Sequence, residues 1–275
     1  MCIVVLTSFL GDILNNIITA ICNLVENPKI KLIRKGDSTN RANSMGDALE
    51  EYIKDVFAGT VDYEEGQARA VALSSTFSYL GNKTNPPDSM LKGGNAGDAI
   101  EVKKIENQTA ALALNSSYPK CKLYADSQMI SKACRKCEQW TVRDMIYAVG
   151  VVKGDYLKSL AFVYGEDYCA DESFYHQIIT DPLNIASTDI SQKNWSIKNP
   201  FVVFNDIYSI DNENAFNFFA IINNDKYYSF ENNSKLDELA KNCNTLRIKD
   251  VKIKNPNNPQ LKRNAKLITY FKESA

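Results

Sequence analysis

The sequence predicts an α/β protein: a central mixed β-sheet flanked by helices, plus a strand-rich C-terminal part. Three observations carry this. Apolar residues recur at helical spacing in two segments before residue 60. Strand-like runs follow, two of them split by the turn Gly154-Asp155. Helix-like and strand-like segments alternate over the first two thirds, which fits mixed layers and neither a bundle nor a sandwich.

Leu14, Ile17, Ile18, Ile21 and Leu24 share one helical face, and Asn27-Pro28 ends it. The start, MCIVVLTSFLGDILNN, is apolar. It lacks a basic leading region and a small-residue cleavage site, and Asp12, Asn15 and Asn16 interrupt it. It reads as an amphipathic helix on the core, neither a signal peptide nor a membrane span. A second helix is expected over MGDALEEYIKDVFAG. Met45, Leu49, Tyr52, Ile53 and Val56 form its apolar face, Ser44 its N-cap with Asp47 three residues on, and Gly59 its stop.

AVALSSTFSYLG reads as a strand ending before Gly81. A hairpin follows in NPPDSMLKGGNAGDAIEVKK, residues 85–104. QTAALALNSSYPK is part helix, then loop. DSQMISKACRKCEQW reads as a helix, DMIYAVGVVKGDYLKSLAFVYG as two strands, and SFYHQII as a helix. FVVF, AFNFFAII, KYYSF and KLITYF read as short strands, with NPNNPQ as a loop before the last.

With 275 residues, 44% hydrophobic and 24% charged, the chain has the make-up of a soluble globular protein with one large core. The net charge of −1 favours no partner class, but the charge is split. Residues 241–275 hold nine Lys/Arg against two Asp/Glu, and residues 155–231 hold twelve acids against four bases. One end is therefore expected to face something negative. Seven cysteines, an odd number spread over a long chain, point to reduced thiols and a cytoplasmic location. Cys134-x-x-Cys137 lacks a second pair to complete a zinc site, and His176, the only histidine, reads as a packing residue.

The hairpin carries the chemistry. Along DAIEVKKI, side chains alternate faces. Ile100 and Val102 point into the core, while Glu101 and Lys103 face the other way with Ala99 and Ile105. The glycine-rich turn folds the segment bearing Asp88 back beside them and brings its carboxylate near Glu101. Two carboxylates on adjacent strands suit a hard divalent cation such as Mg²⁺. A lysine beside them adds charge where an attacking water loses its proton. This set suits hydrolysis of a phosphodiester. Asp98, on the opposite face, reads as a turn residue and replaces a ligand only if the register differs.

These residues resemble the PD-(D/E)xK motif of the restriction-endonuclease-like nucleases. NRANSMGDALEEYIKD, NPPD…GDAIEVKK, LNSSYPK and WTVRDMIYAVGVV…LAFVYG together resemble the type II restriction endonucleases of the gonococcal GGCC-cutting family. The resemblance implies a restriction-endonuclease-like core and Mg²⁺-dependent cutting of duplex DNA at GGCC. It also implies a homodimer and a paired DNA methyltransferase. Carried over by motif, Asp88 is the first metal ligand, Glu101 the second, and Lys103 the catalytic lysine. Such nucleases often add an acid from the preceding helix, here Glu50 with Asp47 as alternative; otherwise Glu50 pairs with Lys54.

DNA contacts are expected from Asn115, Ser116, Ser117 and Lys120 in the LNSSYPK loop, and from the basic run with Arg247, Lys249, Lys252, Lys254, Lys262 and Arg263. The expected units are an N-terminal helical segment (1–39), the nuclease core (40–180) and a strand-rich C-terminal subdomain with a basic DNA-facing tail (181–275). Two other readings stand beside this one: a structure-specific repair or junction-resolving nuclease, and a DNA-binding protein without catalysis.

Overall fold

The computed structural model describes residues 14–34, 41–115, 118–180, 195–210 and 214–273. Helix α1 (Ile17–Glu26) is closed at its start by Asn16, whose side chain accepts from the Ile18 and Thr19 backbone amides. Helices α2 (Arg41–Ala58) and α3 (Gln67–Thr76) follow, then strands β1 (Phe77–Tyr79), β2 (Ser89–Leu91), β3 (Ala99–Ile105), β4 (Ala111–Asn115) and β5 (Lys122–Tyr124). Helix α4 (Lys132–Lys136) precedes the long strands β6 (Val142–Lys153) and β7 (Tyr156–Tyr164). Helices α5 (Gly165–Tyr168) and α6 (Glu172–Thr180), strand β8 (Trp195–Lys198), helix α7 (Pro200–Val203) and strand β9 (Phe216–Asn223) come next. The chain ends with α8 (Asn224–Ser229), α9 (Asn233–Asn242), β10 (Leu246–Asn255) and β11 (Asn258–Lys272).

A nine-stranded mixed sheet runs in the order β1-β2-β3-β6-β7-β9-β11-β10, with β5 paired on β6. β3 is parallel to β6, and β7 is parallel to β9. The β6 and β7 strands read as nearly unbroken apolar runs because both of their faces are covered. On one face, Ile100, Val102, Ile146, Phe162 and Phe218 pack against α1, α2 and Leu236 of α9. On the other, Ala99, Ile105, Tyr147, Val163 and Phe219 lie under β4 and α7, with Trp140 and Tyr168. Each large side chain so buried stabilises the fold by roughly 1.5–3 kcal/mol. The fold class expected from sequence is the one found.

Several local expectations are corrected. Helix α2 begins at Arg41, so Ser44 lies inside it and is not its cap. All of AVALSST is helical in α3, and only FSY is strand; Ala and Leu are strong helix formers. FVVF forms α7, capped by Asn199 with Pro200 at its first turn, and most of KYYSF lies in α8, capped by Asn223. The Ala-Leu run expected to be partly helical is β4, paired with β8. In DSQMISKACRKCEQW only α4 is helical. The strand β10 was not expected. It pairs with β11, and NPNNPQ is the tight turn between them and the start of β11.

Strand β9 pairs with β11 only from Ala265 onward. The β10–β11 hairpin therefore continues past the end of β9 as a short two-stranded arm, four rungs from Lys252–Asn264 to Asn255–Asn258, or roughly 13 Å long. Ile253 and Ala265 at its root belong to the same core layer as Ala99 and Ile105. Among the described residues no helix is long and apolar enough to cross a membrane.

Candidate active site on the β2–β3 hairpin

Strand β2 pairs antiparallel with β3 through Ser89–Ile100 and Met90–Ala99. The Asp88 amide extends that ladder by donating to the Ile100 carbonyl at 3.0 Å. There β2 ends while β3 continues. The next free amide on β3, Val102 N–H, donates to Asp88 Oδ2 at 2.6 Å. A side chain thus completes the ladder where the neighbouring strand has run out, and it lands between Glu101 and Lys103.

Alternation holds as expected. Ile100 and Val102 enter one core layer, and Ala99 and Ile105 the other. Glu101 is 8% exposed. Its Oε1 receives Lys103 Nζ at 2.5 Å, and its Oε2 is buried without a hydrogen-bond partner. Withdrawal from water, reinforced by the Glu101 charge, raises the Asp88 pKa well above the usual carboxylate range; Lys103 opposes the rise. Burial works against the Lys103 charge, but Glu101 and Asp88 outweigh it and hold the ammonium protonated. In the free protein the Glu101 charge thus works against ionisation of Asp88, with Lys103 as the opposing cation.

This donor set fits a divalent cation. It offers hard carboxylate oxygens, one of them orphaned, and charge repulsion that a cation relieves. Among the described residues no group of three or more His, Cys, Asp or Glu side chains forms a complete metal cage. A cation held there would need water and substrate oxygens to complete its shell.

Glu50 on α2 lies within the field of both Lys103 and Glu101; burial raises its pKa first, with Asp47 and Glu101 adding and Lys54 and Lys103 opposing. Lys54 forms its ion pair with Glu51, not with Glu50. Asp98 is occupied elsewhere. It accepts from Tyr164 Oη at 2.9 Å and lies 3.3 Å from Lys226, in a buried network that continues to Asp144. Cys134 is buried with its thiol 3.2 Å from Met90 Sδ, and burial pushes its pKa up to about 12. Nothing among the described residues adds metal ligands to it and Cys137. His176 is exposed on α6, against the Tyr118 ring.

The expected DNA-contacting residues fall in two places. Asn115 ends β4, and its side chain, with Ser116 and Ser117, lies outside the described residues. Lys120 is buried. Arg247, Lys249, Lys252, Lys254 and Lys262 are exposed on β10 and β11, and Arg263 is held by Asp167 at 3.2 Å. Lys254 and Lys262 stand directly opposite each other across the arm. Like charges in that relation destabilise a hairpin unless an anion joins them.

One residue that sequence reasoning passed over as a mere strand stop is Gly81. Its φ is +85°, and a Cβ there would overlap the Asp88 carbonyl oxygen. Both the conformation and the space call for glycine. Gly81→Ala is expected to lower the melting temperature and to slow cleavage about 10²-fold by displacing Asp88. Thermal denaturation and single-turnover cleavage check this together. An unchanged cleavage rate would mean that Gly81 does not set the Asp88 position.

A family model described as NgoPII restriction endonuclease matches residues 15–182 and 179–254. The type II restriction enzyme NgoPII of Neisseria gonorrhoeae is 50% identical to this chain over 282 positions, which cover 93% of this chain and 99% of that protein. No solved structure matches.

Proposed function

Because the chain belongs to the NgoPII restriction endonuclease family and is a type II restriction endonuclease, we propose that it cuts both strands of duplex DNA at GGCC. In this reading it acts as a homodimer, with Mg²⁺ held by Asp88 and Glu101, and a methyltransferase protects the same site in host DNA. A palindromic site is matched by two-fold symmetry of the protein. The observation that supports the residue assignment is the pairing of Asp88 with the Val102 amide, which sets a second carboxylate beside Glu101 and Lys103 at an open strand edge.

A bound divalent cation supplies Lewis-acid neutralisation of phosphate charge and eases loss of a proton from the attacking water. Asp88 and Glu101 hold it through their oxygens. Lys103 keeps its proton and directs an ammonium at the charge that develops on the phosphate. Glu50 adds an acidic group from α2 at the flank of the site. In-line attack leaves a 5′-phosphate and a 3′-hydroxyl.

In this division of labour the core over 40–180 cuts, the segment over 1–39 braces it, and the part over 181–275 grips. Lys252, Lys262 and Arg263 contact backbone phosphates along the arm, Arg247 does so from the other half of β10, and Asn115, Ser116, Ser117 and Lys120 also contact the duplex. Lys252→Glu with Lys262→Glu is expected to weaken DNA binding for all sequences alike. The slope of log K against log salt becomes shallower by about 3.6 if each of the four lysines of the homodimer meets one phosphate. An unchanged slope would remove the arm from the DNA interface.

Digestion of a sequenced plasmid in Mg²⁺ tests the function as a whole. Discrete fragments with every end inside GGCC are expected. Cutting only at junctions or flaps would favour a structure-specific nuclease, and no cutting under any divalent metal would end the assignment.

A further inference from the structure

Lysine is rarely buried without an acid beside it, because withdrawing an ammonium from water is costly. Lys120 is 6% exposed. Among the described residues it has no ion pair. Its Nζ lies 4.1 Å from the centre of the Tyr118 ring and 3.5 Å from Met129 Sδ. Neither is a strong acceptor for three ammonium hydrogens.

The surroundings hold it firmly. The Lys120 amide donates to Tyr147 Oη at 2.8 Å, and Tyr147 is the β6 residue opposite Glu101 in the parallel ladder. The Lys120 carbonyl packs against Gly165, where a Cβ would fall 2.5 Å from it. Met129, the sulfur neighbour of the ammonium, accepts through its carbonyl from Asn85 Nδ2 at 3.0 Å. Asn85 stands three residues before Asp88. One neighbour thus ties Lys120 to the strand next to Glu101, and the other ties it to the segment that delivers Asp88. Burial lowers the Lys120 pKa, and Glu172 and Glu101 are the acids whose charges reach it.

We propose, on the nuclease reading above, that Lys120 is a second cationic contact to the phosphate being cut, binding a non-bridging oxygen beside Lys103. The anion that completes its coordination arrives with the substrate. A base edge is the weaker candidate, because the group that meets Asp88 and Glu101 is the scissile phosphate itself.

The test uses the full-length protein and a duplex carrying the mapped cleavage site, with Ca²⁺ replacing Mg²⁺ to hold off cleavage. A second duplex carries an uncharged methylphosphonate at the scissile position. The wild-type protein is expected to bind the neutral duplex about tenfold less tightly. Lys120→Met and Lys120→Gln are expected to bind the ordinary duplex less tightly and to discriminate less between the two, keeping only the share that Lys103 and the cation supply. Lys120→Arg is expected to keep more of the discrimination. In Mg²⁺, single-turnover cleavage by Lys120→Met is expected to fall about 10²-fold.

Neutral variants that discriminate as the wild type does, or that cut at its rate, overturn the proposal. Loss of folded structure in both neutral variants also counts against it, since a lysine reserved for DNA adds nothing to the stability of the free protein. A wild-type protein that leaves the plasmid whole refutes the nuclease reading itself, and that outcome is distinct from the others.

Discussion

Lys103→Ala is expected to reduce cleavage by 10³-fold or more while leaving DNA binding in Ca²⁺ within a few-fold of wild type. The ammonium sits 2.5 Å from Glu101, and the carboxylates around it keep it charged. It is therefore a fixed positive charge, not a base waiting for a proton. Removing one preorganised group of this kind from a site that excludes water costs about 10²–10³ in rate. Here it also frees the Asp88–Glu101 repulsion. Metal-free Lys103→Ala is accordingly expected to melt lower than wild type at neutral pH, with the gap closing in acid as the carboxylates protonate. Melting curves across pH and single-turnover cleavage check both parts. A variant that cuts normally would reduce Glu101 and Lys103 to an ion pair on a strand.

Asp88→Asn is expected to abolish cleavage and yet to raise the stability of the metal-free protein. Asp88 has its folded-state pKa raised above the ordinary carboxylate value, first by withdrawal from water and then by Glu101. The sign follows from linkage: the stabilising contribution is fully present below the unfolded value and is lost as pH rises through the raised one. Above the unfolded value Asp88 therefore burdens the metal-free fold. Asparagine removes the charge and keeps an oxygen for the Val102 amide. Its melting temperature should exceed that of wild type at neutral pH and match it in acid. Added Mg²⁺ should raise the wild-type melting point by mass action and leave that of the variant unmoved. A variant still stabilised by Mg²⁺ would show that the metal is held without Asp88.

The parts of this architecture that were legible in sequence share a physical reason. Helix α2 carries Met45, Leu49, Tyr52, Ile53 and Val56 on one stripe, and β3 alternates around a glycine-rich turn, so local pattern and tertiary environment agree. Glu101 and Lys103 could be assigned a face for the same reason. The misread segments are short. FVVF and KYYSF have strand-forming residues, but Asn199 and Asn223 cap them into helical turns that start one and two residues before the runs. Strand β10 was hidden because four of its ten residues are lysine or arginine and its alternation breaks at Asp250-Val251, so it looks like a solvated tail until β11 pairs with it. The burial of Lys120 was illegible, since it depends on Tyr147, Met129 and Gly165, none of them near it in sequence.

Strand β11 begins in the arm and ends, without a break, as an interior strand of the sheet. Grip and blade are thus forged in one piece. A tug on the arm travels down a continuous backbone to β9, then across β7 and β6 to the strand that bears Glu101. On the proposed reading, a poorly seated duplex would strain the same sheet that carries Glu101, and a well-seated one would leave it at rest.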